Sequence, residues 1–391
     1  MKNIIGQPAR GENFYQRDRE VKKIIDSLSN CNNIQITAPR RVGKTSILWY
    51  LFDNDIANRR YVYVDTESIA NEEDFFKKLL NEILRNEHIG SSAKLKSGLS
   101  GANRFLKKIK SIKILNTGIE LNHENEGHNY FDELQNFLSG YAMEENMELV
   151  VLIDEFPQTI ENIKSIDPVQ AVSFLQKNRT LRSNPEINGK VKFIYTGSIG
   201  LNQTVSRLNA SATINDINSI EIGPLSEKEA KELFRKLLNP YNRKVTTQAE
   251  DTLLKIIQWY IPFHIQLTVQ EIVQQTESGD EVLSSTIESA VDNIIALKNQ
   301  NHFDHYYTRL KVQFKNEAFK YADELLKDIV ANDAADKTRV FDLAAKYDLT
   351  GEYKKILETL MYDGYIHYIE DTKEYRFNSP IVKRWWLKFI C

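Results

Sequence analysis

The chain has 391 residues, with 51 Lys and Arg against 54 Asp and Glu, a formal charge of −3. With 41% apolar and 27% charged residues, it has the composition of a globular protein long enough for two or three domains. No run approaches the ~20 apolar residues that would cross a bilayer. Only Cys31 and Cys391 are present, which excludes a disulfide framework and a cysteine zinc site. The opening stretch 1–18 lacks the apolar centre of a secretory signal, so a cytoplasmic protein is expected. The near balance of charge argues against a wholly basic, nucleic-acid-coating surface while leaving room for a local patch.

Five short runs rich in β-branched or aromatic residues predict strands at 33–37, 61–65, 149–154, 192–196 and 219–222, with helical stretches between them. Apolar strands alternating with helices predict an α/β fold with a parallel sheet covered on both faces, over about the first 222 residues. An insertion interrupts it at about 90–127. Between 94 and 113 it carries seven basic residues (Lys94, Lys96, Arg104, Lys107, Lys108, Lys110 and Lys113) and no acids, with Phe105, Ile109 and Ile112 on one helical face. It is the candidate surface for an acidic partner, a membrane or nucleic acid, although a solvated helix has the same pattern.

After Gly223-Pro224 the pattern turns helical. Ser226 with Glu229 three residues later predicts a capping box, and further helices are expected over 248–260, 262–278 and 281–299, forming a lid over 223–300. The remainder, 301–391, predicts helices at 317–332, 339–347 and 351–363 and a hairpin of 365–369 with 374–377, the order of a winged helix.

The strongest chemical signal is Ala38-Pro39-Arg40-Arg41-Val42-Gly43-Lys44-Thr45-Ser46, which follows a predicted strand and opens a helix. In that context backbone N–H groups of the loop and helix N-terminus cradle a polyphosphate. Lys44 can reach the outer phosphates, and the Thr45 hydroxyl can ligate Mg²⁺. Ala38 stands where the simplest pattern has Gly. A second signal is the apolar strand ending in Asp154-Glu155. Asp154 is a candidate for holding Mg²⁺ and Glu155 for general base on water. Thr196 or Ser198, at the end of the next strand, can offer a hydroxyl to the γ-phosphate or the water.

With these residues in place, the chain resembles the prokaryotic P-loop ATPases of the AAA+-related STAND class, whose phosphate loop reads as Pro39 to Ser46 do here. The run from Phe14 to Glu20, with Tyr15 and Arg17, is similar to the box that lies near the adenine in that class. Thr196 to Leu201 looks like its sensor strand, and Tyr260-Ile261-Pro262-Phe263-His264 like the lid motif whose proline packs on the base. Asn378 to Trp386 looks like the end of its winged helix. The resemblance implies ATP and Mg²⁺ held between sheet domain and lid, slow or partner-stimulated hydrolysis, and movement of the winged helix as the nucleotide changes. It also implies a sensor strand lying between the loop strand and the magnesium strand. Arg207 is the candidate arginine finger, with Arg179 and Arg182 as alternatives; His264 is a candidate phosphate contact, although a histidine in an apolar stretch is more often a core residue.

Residues 301–391 hold 15 basic and 15 acidic side chains, which disfavours DNA reading by the winged helix and favours a protein partner or self-association. Trp385 and Trp386 read as core-closing residues rather than a base-stacking platform. Two alternatives remain from sequence: a nucleic-acid-binding regulator gated by ATP, and a partner-binding scaffold with an inactive nucleotide site.

Overall fold

The computed structural model describes residues 1–86, 129–140 and 147–391. The basic insertion expected at about 90–127, with its apolar face, lies outside the described residues. The chain divides into two units, one of residues 16–37 and 44–222, the other of residues 1–15, 38–43 and 223–391.

The first unit is built on a five-stranded sheet of β1 (Asn33–Thr37), β2 (Arg59–Asp65), β3 (Glu148–Asp154), β4 (Val191–Thr196) and β5 (Ile217–Glu221). The strand order is β2-β3-β4-β1-β5 and every pairing is parallel. All six residues of β4 are buried, and six of the seven of β3, as a strand covered on both faces requires. β5 lies at the edge with only Ile217 and Ile220 buried, and it begins two residues ahead of the run predicted at 219–222. β4 sits between β1 and β3, the placement expected of the sensor strand.

Helices Glu72–Arg85, Tyr130–Gly140, Phe156–Ile166 and Pro168–Ser183 bury apolar residues in the core against this sheet. Phe75, Phe76, Phe156, Phe174 and Tyr195 form its aromatic centre, with ring centroids 4.7–5.9 Å apart between neighbours. The consequence for function is positional. Thr37, Asp65, Asp154 and Thr196 all end their strands at the same edge, the carboxyl edge where open α/β sheets bind ligands.

In the second unit, helix Glu227–Leu238 starts with the expected capping box: the Glu229 amide donates to Ser226 Oγ at 3.3 Å and the Ser226 amide to Glu229 Oε2 at 2.7 Å. Helices Thr247–Ile257, Pro262–Gln275 and Ser284–Ile294 follow. The last is shorter than its apolar period predicted, because Glu281–Val282 (β7) pairs in parallel with Lys244–Val245 (β6).

Helix Asp304–Gln313 has no counterpart in the sequence reading. It buries only Tyr306 and Leu310, too thin a stripe to register as amphipathic. Helices Asn316–Asn332, Lys337–Lys346 and Tyr353–Tyr362 then lead to an antiparallel hairpin of β9 (Ile366–Ile369) and β10 (Glu374–Phe377), which β8 (Ala335–Asp336) joins on its other side. Helix Pro380–Phe389 closes the chain, and its Trp385 and Trp386 are fully buried, core residues as expected. Asp363-Gly364-Tyr365 is pinned twice to helix Asp304–Gln313, by Arg309 on Asp363 at 2.7 Å and by Tyr365 OH on the Tyr306 carbonyl at 2.7 Å. Gly364, at φ +81°, leaves no room for a side chain: a Cβ would stand 2.7 Å from Trp259 and 3.0 Å from Pro39. Among the described residues no helix is long and apolar enough to cross a membrane.

Candidate active site

Helix Lys44–Asp53 begins directly after the tight turn Arg41-Val42-Gly43, in which Arg41 (φ +67°) and Gly43 (φ +101°) adopt left-handed backbone. The helix N-terminus, the positive end of its dipole, lies in the sheet unit with the strand ends. Lys44 and Ser46 are buried at the start of this helix.

Asp154, the last residue of β3, is the hub of the site in the sheet unit. Its Oδ2 accepts from Thr45 Oγ1 at 3.0 Å and from Tyr63 OH at 3.0 Å. Its Oδ1 accepts from the Glu155 amide at 3.1 Å, with Thr196 Oγ1 at a long 3.5 Å. Its main-chain carbonyl is held by the Thr66 amide at 3.0 Å and the Thr66 hydroxyl at 2.8 Å, and Thr159 Oγ1 in turn donates to the Thr66 carbonyl at 2.7 Å. Burial first, then the neighbouring Glu155 charge, push the Asp154 carboxyl up to about 6, against the pull of the Thr45, Tyr63 and Glu155 hydrogen bonds. The Tyr63 phenol is pushed upward by burial and by Asp154, so it stays protonated and donates.

Glu155 follows in left-handed backbone (φ 57°) and precedes helix Phe156–Ile166, yet its side chain does not cap that helix. Its Oε2 accepts from the Ser198 amide at 2.8 Å and the Ser198 hydroxyl at 2.9 Å. The close approach depends on Gly197, where a Cβ would stand 2.6 Å from the Pro157 ring. The structure therefore brings Thr45, Asp154, Glu155, Thr196 and Ser198 into one bonded group, five residues that the sequence scatters over 154 positions.

Most of the other candidates have partners within their own units. Arg17 is buried and paired with Glu20 at 3.0 Å. Arg207, on the sheet unit, lies 3.8 Å from Glu161. Arg179 donates to the Ala212 carbonyl at 2.6 Å. Arg182 is an internal strut, bonded to Asp216 at 2.7 Å, to Tyr195 OH at 3.3 Å and to the Thr213 carbonyl at 2.5 Å. In the second unit Tyr15 OH donates to Glu232 at 3.0 Å, and Lys236 lies over its ring. Pro39, Arg40, Arg41, Val42 and Gly43 belong to this unit too, and the Arg41 guanidinium lies 4.4 Å from the centroid of Phe263. Pro262 opens helix Pro262–Gln275, where its missing N–H costs nothing. His264 is fully enclosed, with Nδ1 3.4 Å from Ser379 Oγ, and burial lowers its pKa to about 3, so the ring is neutral.

Two participants escaped the sequence reading. Tyr63 looked like an ordinary strand aromatic, and only the β2–β3 register, which sets Asp65 beside Asp154, brings its hydroxyl to the carboxylate. Thr66 left no sequence signal beyond a polar residue after a strand.

A parallel sheet with a phosphate-type loop after β1, an acidic pair after β3 and a helical carboxyl-terminal region define a P-loop NTPase fold of the AAA+ kind. The Walker-type ATPase of Pyrococcus abyssi superposes with a TM-score of 0.61 over 98% of this chain and 99% of that chain, at 17% identity. The ORC2 protein of Aeropyrum pernix, in ADPNP–ADP complexes, gives a TM-score of 0.51 over 96% of this chain and 94% of that chain, at 13% identity. At these identities the likeness is one of fold. No protein-family model matches the chain, nor does any curated protein.

Proposed function

We propose that the protein binds ATP with Mg²⁺ and hydrolyses it slowly, as a nucleotide-driven conformational switch of the STAND type acting in the cytoplasm. The observation that carries this reading is the 3.0 Å hydrogen bond from Thr45 Oγ1 to Asp154 Oδ2. It joins the first turn of the loop helix to the acidic strand end 109 positions later. Donation of the Thr45 proton leaves the hydroxyl lone pairs to a metal ion, and two hard oxygen groups at a helix N-terminus suit Mg²⁺ beside phosphate. The buried Asp154 carboxyl, bonded to hydroxyls and one amide, fits a divalent cation. When bound, Mg²⁺ would neutralise charge on the phosphate oxygens.

The chain's own part in the chemistry then falls to named groups. Amides of residues 43–46 hold phosphate oxygens, and the Lys44 ammonium adds a mobile positive charge. Glu155 takes the proton of the attacking water, with Ser198 fixing its carboxylate and Thr196 directed to the same strand end. The ligand-bearing complexes of the ORC2 relative support a nucleotide as occupant. The even charge balance of residues 301–391, which we read as a winged-helix domain, points the output toward a protein partner or a second copy rather than DNA.

Isothermal titration tests the reading directly. Lys44→Ala is expected to weaken Mg²⁺–ATP binding at least about tenfold while leaving the melting temperature of the free protein nearly unchanged. Wild-type affinity in that variant would remove the loop from the account.

A further inference from the structure

We propose that Tyr63 is a positioning residue for the cation, holding the Asp154 carboxylate in its metal-binding orientation; this rests on the reading of Thr45 and Asp154 as a Mg²⁺ site. Both hydroxyls that approach Oδ2 of Asp154 do so at 3.0 Å, one from Thr45 and one from Tyr63. An ionised carboxylate oxygen offers about two lone pairs, so the two hydroxyls occupy those of Oδ2 and hold the carboxylate with Oδ1, which accepts one amide at 3.1 Å, as the oxygen left for a cation. The two donors are not equivalent. Thr45 sits in the loop helix and must also turn an oxygen lone pair to the metal. Tyr63 sits in β2, which is zipped to β3 by paired residues from Arg59↔Glu148 to Asp65↔Asp154. The phenol is therefore carried by the sheet, on the strand beside Asp154.

Its ring is fixed as well. Tyr63 packs on Trp49 with centroids 4.2 Å apart and ring planes inclined by 30°, and Trp49 lies on the loop helix Lys44–Asp53. One tyrosine thus locates the carboxylate through its hydroxyl and the loop helix through its ring. Outer partners of this kind, which orient a ligand without touching the metal, typically carry ten- to a hundredfold in metal affinity.

Tyr63→Phe deletes one oxygen and keeps the ring that packs on Trp49. The experiment titrates Mn²⁺ into the ADP complexes of the full-length wild-type protein, Tyr63→Phe and Asp154→Asn, with free Mn²⁺ read by electron paramagnetic resonance. Thermal melts and ADP affinity in EDTA are measured alongside. The expected result is Mn²⁺ affinity about tenfold weaker in Tyr63→Phe, with ADP affinity in EDTA within about twofold of wild type. ATP turnover by the variant should recover at saturating Mg²⁺, a rescue that a merely structural tyrosine would not show. Unchanged Mn²⁺ affinity in Tyr63→Phe, with Asp154→Asn weakened, overturns the positioning role and leaves the metal site standing. Unchanged affinity in both variants overturns the metal site and the positioning role together.

Discussion

Glu155→Gln is expected to cut ATP turnover by about 10²–10⁴-fold, the usual contribution of a general base, while leaving ATP affinity within about twofold. The substitution is nearly isosteric. An amide oxygen can still accept from the Ser198 amide and hydroxyl, which now lie 2.8 and 2.9 Å from Oε2, so the local geometry should survive. What goes is the capacity to take a proton. Single-turnover phosphate release, with binding measured separately by titration, decides the matter. Release at the wild-type rate would take Glu155 out of the chemistry, and a parallel loss of affinity would make it a binding residue instead.

The strands of the sheet were legible because each is a short β-branched run punctuated by polar residues, whereas the place of β4 between β1 and β3 was expected only from the resemblance. β3 and β4, buried along nearly their whole length, are the clearest cases. The acidic pair and the loop were legible for a related reason: Asp154-Glu155 and Gly43-Lys44-Thr45 are local patterns, each carried by consecutive residues. Tyr63 and Ser198 as partners of those acids were less accessible, since a hydrogen bond across 91 or 43 positions depends on strand register and on one glycine's clearance from Pro157. The arginine candidates show the opposite difficulty. Arg182 has the spacing of an exposed helical charge, but its partners Tyr195, Thr213 and Asp216 lie in segments brought together only by the fold, and they make it a buried strut. Helix Asp304–Gln313 was missed because two buried residues in ten do not make a period.

Asp154→Asn should move stability and metal binding in opposite directions. In the free protein, burial raises the Asp154 pKa from an ordinary 3.8 to about 6. Between those values the native state binds more protons than the unfolded chain, so its stability falls as pH rises through that window and stays lower above it. The shift corresponds to about 3 kcal/mol at neutral pH. Asparagine carries no charge to desolvate, and the Thr45 and Tyr63 hydroxyls can rotate to meet its amide. Urea unfolding in EDTA at pH 7.5 should find the variant more stable than wild type by about 1–3 kcal/mol. At pH 4, where the wild-type carboxyl is mostly protonated, the gap should close. Adding Mg²⁺–ATP should shrink this gap at pH 7.5, because a ligand at a hundred times its Kd stabilises the wild type by about 2.7 kcal/mol and the variant by far less. A variant less stable than wild type in EDTA at both pH values would mean that the carboxylate serves the fold, and its burial would then need no cation to account for it.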